Sequence, residues 1–235
     1  MRKTLNYFTL FEKLLWAGSV TVIVAAFLLF GKNEYLTLAA SLIGVTFLIL
    51  NAKGNPLGQF LTIVFSVLYG IISYSFAYYG EMITYLGMTA PMALFALISW
   101  LRHPFEGRRS QVEVNSLKKT EIVFMFFLTA GVTALFYFIL GYFNTANLIP
   151  GTVSVTTSFI AVYLTFRRSP YFALAYAAND LVLILLWALA AREDKGYIPV
   201  LVCFTVFFIN DLYGFVNWMK MKKNQTEKTL NMDLG

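Results

Sequence analysis

Hydrophobic residues gather into eight stretches along this chain, Leu14–Phe30, Leu36–Leu50, Leu57–Tyr79, Met82–Leu101, Ile122–Tyr142, Ile149–Phe166, Tyr171–Ala191 and Ile198–Met219, separated by short polar runs. Most have the roughly 17–25 residues that a helix needs to cross the hydrocarbon of a bilayer. The shortest, 36–50, reaches that length with one more turn at either end. The ten-residue alternating segments of a closed β-barrel are absent. The pattern predicts an all-α membrane protein with eight transmembrane helices. Composition agrees, with 59% hydrophobic and 13% charged residues, about half the charged share of a soluble domain.

Eight spans alternate the connecting loops between two sides, and 15 of the 18 basic residues then fall on one side. Only Lys32, Arg192 and Lys195 lie on the other. By the positive-inside rule both termini are cytoplasmic, and the net charge of +6 reports topology, not nucleic-acid binding. Arg2 and Lys3 before an apolar run resemble the start of a signal peptide. No small-residue cleavage site precedes Gly31, so a retained first helix is expected. Cys203, within the last span, is a packing residue. The run from Arg102 to Thr120 is expected to be a plain cytoplasmic connector and the tail after Met219 a mobile charged end. No G-x-x-x-x-G-K-[ST] loop is present to power transport with ATP.

A weak internal repeat organises the spans. The third and seventh segments each follow a short turn and open at a proline, Asn51-Ala-Lys-Gly-Asn-Pro56 and Phe166-Arg-Arg-Ser-Pro170, and Ser66 and Asp180 fall ten positions after their prolines. The fourth and eighth segments end in Trp100-Leu-Arg102 and Trp218-Met-Lys220. An odd number of spans between two three-helix units keeps them parallel, with a site between the halves near the midplane. The expected organisation is an N-terminal extra helix (1–34), a first three-helix bundle (35–103), a connector and linker helix (104–147), a second three-helix bundle (148–220) and a cytoplasmic tail (221–235). Pro56 and Pro170 sit where a missing N–H costs nothing. Trp100 and Trp218, beside basic residues, read as interfacial belt anchors, as do Tyr78 and Tyr79. Gly70 and Gly80 allow close helix contact.

Asp180 and Asp211 are the acidic residues well inside the apolar segments, each preceded by asparagine. A carboxylate at bilayer depth costs at least ~2.5–3.5 kcal/mol, so such a group faces a cavity, a partner or a ligand. Phe172, Tyr176, Asn179, Leu183 and Trp187 recur at helical spacing, which places an amide between aromatic faces with Asp180 beside it. Asn210, Tyr213 and Asn217 form a second stripe, with Asp211 turned about 100° from it. Two Asn-Asp pairs with aromatic neighbours exceed what interhelical glue requires and point to a flat, hydrogen-bonding ligand. Tyr69, Ser66 and Gln59 of the third segment complete the candidate substrate-binding set. No nucleophile–base pair suggests catalysis. His103 is alone, with no ligand-spaced partner, so no metal and no cofactor is expected.

Leu68-Tyr-Gly-Ile-Ile72, Tyr176-Ala-Ala-Asn-Asp-Leu181 and Phe208-Ile-Asn-Asp-Leu-Tyr-Gly-Phe-Val-Asn-Trp218, together with the repeat plan, resemble the PnuC family of vitamin transporters, best known as nicotinamide riboside carriers. The resemblance runs from the second segment to the tail. It implies a SWEET-like core of three, one and three helices, a homotrimer in the lipid membrane, and facilitated uptake of a small vitamin or nucleoside that is trapped by phosphorylation. By position the family's midplane asparagines fall on Asn179 and Asn210. The tryptophans that nicotinamide riboside carriers place before the first of these are Phe172 and Ala175 here, and the third-segment asparagine is replaced by Phe65 or Ser66. Relatives that carry thiamine, riboflavin or deoxynucleosides therefore stay open as alternatives. In this reading Tyr176 and Trp187 stack the heterocycle, Asn179, Asn210 and Asn217 bind ribose or amide groups, and Asp180 or Asp211 balances the charge of a cationic ligand. Proton-coupled symport and a non-transporting sensor are the other readings.

Overall fold

The computed structural model of the protein describes residues 7–31, 35–75, 79–145 and 147–233. Arg2, Lys3, Lys32 and Tyr78 lie outside the described residues. Among these residues eight helices are long and apolar enough to cross a membrane. They are α1 Leu10–Phe30, α2 Tyr35–Ala52, α3 Pro56–Ser75, α4 Tyr79–Arg102, α5 Lys119–Tyr142, α6 Leu148–Phe166, α7 Tyr171–Glu193 and α8 Ile198–Asp233. The third apolar stretch runs past the end of α3, and its last residue, Tyr79, already begins α4. Within α4 the turn Thr84–Thr89 widens to π geometry, with the Ala90 N–H bonded to the Tyr85 carbonyl. Pro91 explains it. Its nitrogen cannot donate to the preceding turn, which loosens.

Six helices close a ring. α3 packs between α2 and α4, α7 packs between α6 and α8, and the two bundles meet through α4 against α6 and α8 against α2. Equivalent bonds shape the turn at the base of each bundle. Asn55 N–H donates to Leu50 O at 3.0 Å and Gly54 N–H to Asn51 O at 2.9 Å; Ser169 N–H donates to Leu164 O at 3.0 Å and Arg168 N–H to Thr165 O at 3.0 Å. Gly54 and Arg168, at matching places, both take positive φ, 68° and 57°. Glycine adopts this backbone freely, whereas arginine is strained there.

Trp100 and Trp218 are not belt residues. Each is 0% exposed, and each donates its indole N–H across the ring to the other bundle. Trp100 bonds Thr165 O at 2.9 Å and Trp218 bonds Asn51 O at 2.8 Å. The two rings lie 5.4 Å apart, and Phe172 packs on both. The expectation failed because an indole next to basic residues reads the same in sequence whether its ring faces lipid or a neighbouring helix.

The connector carries more structure than its composition suggested. β1 Pro104–Phe105 and β2 Arg108–Val112 form an antiparallel hairpin, turned by Glu106 and Gly107 with φ of 50° and 70°, the geometry of a type I′ turn. Val112 N–H then bonds Gly54 O at 2.9 Å, and Asn115 bonds Arg168 O at 3.0 Å and Arg167 O at 3.1 Å. The connector thus fastens to both basal turns. The tail is helical: α8 continues to Asp233, so the boundary at 220/221 falls inside one helix. Buried Gln225 grips the connector with both amide atoms, accepting from Val114 N–H at 2.8 Å and donating to Val112 O at 3.0 Å. Lys228 bonds Glu106 at 2.8 Å and holds that carboxyl below the ordinary glutamate range.

α1 lies outside the ring and packs on α2 and α8. Thr9 and Glu12 cap it reciprocally. Glu12, 1% exposed, also accepts from the Tyr213 hydroxyl at 2.7 Å and pairs with Lys53 at 3.1 Å. Buried acids therefore include this one, beyond the two expected.

Candidate functional site

All six ring helices contribute to one central cavity. α2 supplies Phe47, Leu48 and Asn51, α3 Thr62 and Phe65, and α4 Tyr85 and Thr89 from its π turn. From the second bundle come Ser158 of α6, five residues of α7 (Phe172, Tyr176, Asn179, Asp180 and Leu183), and Phe204, Phe207 and Asp211 of α8. The enclosed volume is about 50 Å³, room for a few water molecules at most. A vitamin-sized ligand requires the bundles to part.

The two acidic groups of the cavity sit on the α7–α8 wall. Asp180 and Asp211, both buried, stand beside each other on this wall. The second oxygen of Asp180 is buried without a hydrogen-bond partner. Asn179 accepts at Oδ1 from Thr157 at 2.8 Å and Ser154 at 3.2 Å, both on α6. Aromatic rings of α2, α3, α4 and α8 face this wall, with Asn51, Thr62, Thr89 and Ser158 among them, so the cavity pairs apolar faces with an amide and an acid pair, a combination suited to holding a flat polar ligand.

The structure brings together four of the expected residues, Tyr176, Asn179, Asp180 and Asp211. The others lie off the cavity. The stripe Asn210, Tyr213 and Asn217 faces α1 and α2: Asn210 donates to Ser19 Oγ at 3.0 Å and Val206 O at 2.9 Å, Tyr213 to Glu12, and Asn217 to Ala52 O at 2.8 Å. Helical spacing defines a stripe but not its direction, and α8 turns Asp211 inward instead. Gln59 donates to Asn51 Oδ1 at 2.9 Å, behind the wall, and Ser66 donates to Thr62 O at 2.8 Å within α3. Tyr69 packs on Tyr85 with centroids 4.5 Å apart. Trp187 lines a separate vestibule of about 590 Å³ at the end away from the basic residues, with Glu81, Asn147, Arg192, Glu193 and Tyr197.

Sequence reasoning missed Asn51, Thr62, Tyr85, Thr89 and the hydroxyls of α6. Asn51 looked like part of a turn, yet its side chain reaches the cavity and its carbonyl receives Trp218. The run Thr152-Val-Ser-Val-Thr-Thr-Ser158 was the available signal, since so many hydroxyls in an apolar helix require acceptors. The proline after Thr84–Thr89 was the other, because π turns gather at functional sites.

Similar proteins fit this architecture. The nicotinamide riboside transporter PnuC of Neisseria mucosa is 25% identical over 230 residues, covering 96% of this chain and 87% of that one. A solved structure, described as the crystal structure of the vitamin B3 transporter PnuC, shares the fold with a TM-score of 0.80 at 22% identity, over 93% of this chain and 94% of that chain. The nicotinamide mononucleotide transporter family matches residues 34–220, which take in the ring helices, α8 as far as Lys220, and the linker helix α5. The chain belongs to this family of membrane transporters.

Proposed function

We propose that the protein takes up nicotinamide riboside or a closely related cationic B vitamin down its gradient, by rocking of the two three-helix bundles about the central cavity. The observation that carries this reading is the buried pair Asp180 and Asp211 beside Asn179 on one cavity wall. A positively charged ring repays part of the carboxylates' desolvation, which riboflavin and neutral nucleosides cannot do. Asn179 and the acid pair bind polar groups of the ligand, while Tyr176, Phe172 and Tyr85 supply aromatic faces. The basic end, with both termini, faces the cytoplasm in this reading, and the ligand is trapped there by phosphorylation. The two bundles act as parallel, SWEET-like repeats within a homotrimer.

Titration of the purified protein with nicotinamide riboside, thiamine, riboflavin and deoxynucleosides by calorimetry tests the proposal. Saturable binding of a cationic vitamin, lost in Asn179→Ala with an unchanged melting temperature, is the expected result. Preference for riboflavin or a deoxynucleoside refutes the charge argument, and unchanged affinity in Asn179→Ala removes this wall from the account. Two buried carboxyl groups on one cavity wall favour a second reading, proton-coupled symport. Uptake into liposomes that responds to an imposed pH gradient distinguishes it from facilitated diffusion.

A further inference from the structure

Asn179 is held in a defined orientation by two residues of α6 that do not themselves line the cavity. Ser154 and Thr157 lie one turn apart on α6, and both hydroxyls meet Asn179 Oδ1, at 3.2 and 2.8 Å. An amide oxygen only accepts and an amide nitrogen only donates. The Thr157 hydroxyl also lies 3.0 Å from Val153 O and 3.0 Å from Ser154 O, so its single proton has a choice, with Asn179 the shortest contact. Ser154 has Asn179 as its acceptor. Turning the amide over would place its nitrogen against Ser154 and cost that hydroxyl its acceptor in a buried setting. The oxygen therefore stays on α6, which leaves the Nδ2 amino group as the polar end that this cavity-lining side chain can offer a ligand.

The neighbouring wall has the opposite polarity. Asp180 offers a buried, unpartnered oxygen, and Asp211 lines the same cavity beside it. We propose that Ser154 and Thr157 are positioning residues that fix the hydrogen-bond polarity of the site. Through Asn179 they make it a donor, next to the acceptors of the acid pair. The site then takes a ligand that shows a carbonyl or hydroxyl oxygen to Asn179 and a positive charge or donor to Asp180. It rejects the acid analogue of the same ligand, whose carboxylate meets the aspartates. This inference rests on the transport reading for its ligand, but the amide lock itself does not.

The test compares uptake of nicotinamide riboside into liposomes by wild type, Ser154→Ala/Thr157→Val and Thr157→Ser. The double variant is expected to raise KM roughly five- to tenfold, the equivalent of one neutral hydrogen bond. Its maximal rate and melting temperature stay near wild type, and Thr157→Ser keeps the wild-type KM. An unchanged KM in the double variant overturns the proposal, as does a KM rise accompanied by lost thermal stability that Thr157→Ser shares. The side-chain amide signal of Asn179 in 15N-asparagine-labelled protein, assigned with Asn179→Asp, gives a readout without ligand. It should shift in the double variant and return in Thr157→Ser, and no shift overturns the lock. If wild type carries none of the vitamins, the transport proposal fails alone and this signal still decides the lock.

Discussion

Replacing Trp218 or Trp100 by phenylalanine tests whether the two bundles are joined at the basic end by an equivalent pair of bonds. Each substitution removes one indole N–H bond, at 2.8 or 2.9 Å, worth about 0.5–1.5 kcal/mol. Neither carbonyl is orphaned, since Gly54 N–H still reaches Asn51 O and Arg168 N–H still reaches Thr165 O. The smaller ring also leaves a void in a layer that is closed to solvent, which brings each cost to about 2–4 kcal/mol. The rings lie 5.4 Å apart and share Phe172, so the double substitution should depart from additivity by at least ~0.5 kcal/mol. Melting of the purified single and double variants, followed by intrinsic fluorescence and gel filtration, measures these terms. Equal losses for the two single variants support the paired arrangement. A loss in one variant with none in the other, or strict additivity, refutes it.

Asp180→Asn keeps the shape of the site and removes its charge; affinity for a cationic vitamin should fall at least about tenfold while a neutral ligand is unaffected, as calorimetry will show. Glu12→Ala strands Lys53 and the Tyr213 hydroxyl, and breaking a buried pair of this kind costs about 3–5 kcal/mol, visible as a lower melting temperature and detachment of α1 to protease. Gly58→Ala would place a methyl 2.2 Å from Asn51 Oδ1 and 2.8 Å from the Asn51 backbone N, so it should push α2 and α3 apart as well as displace that side chain, lowering the melting temperature together with the affinity. The Glu106 carboxyl sits below its ordinary range in the folded protein, so its bond to Lys228 contributes above the unfolded value of about 4.3 and is lost as pH falls through the lowered folded value. Limited proteolysis of the tail should accordingly rise only in that acidic window.

The spans were legible because each needs a long apolar run, and hydropathy records little else. The basal turns were legible too, since Pro56 and Pro170 fix where α3 and α7 begin. What escaped is direction. An amphipathic stripe such as Asn210, Tyr213 and Asn217 can face a cavity or another helix, and here α1 takes it with Ser19 and Glu12. Asp180 and Asp211 were found because charge in hydrocarbon demands a reason, whereas Ser154 and Thr157 are polar residues that a helix tolerates without one. The tail escaped for a related reason: Gln225 is one amide in a charged run, and only the hairpin's free backbone groups show what it is for.

The two ends of the ring are closed by unlike means, and this sets the order in which they open. At the basic end the indole bonds of Trp100 and Trp218 cross between bundles, and the connector ties both basal turns through Val112 and Asn115. These bonds together contribute several kcal/mol against separation there. From the central cavity toward the other end the bundles meet through rings, Phe65 against Phe207 at 5.8 Å and Tyr69 against Phe204 at 5.9 Å. Such pairs add about 0.5–1.5 kcal/mol each beyond their buried area. A vestibule already reaches Trp187 from that side. The ligand-free protein should therefore part first at the vestibule, hinged on the connector. Spin labels at Tyr79 and Arg192 should give a broad distance distribution without ligand, while labels at Arg102 and Lys220 give a narrow one. A narrow distribution at the vestibule with a broad one at the basic end would show that the connector is not the hinge.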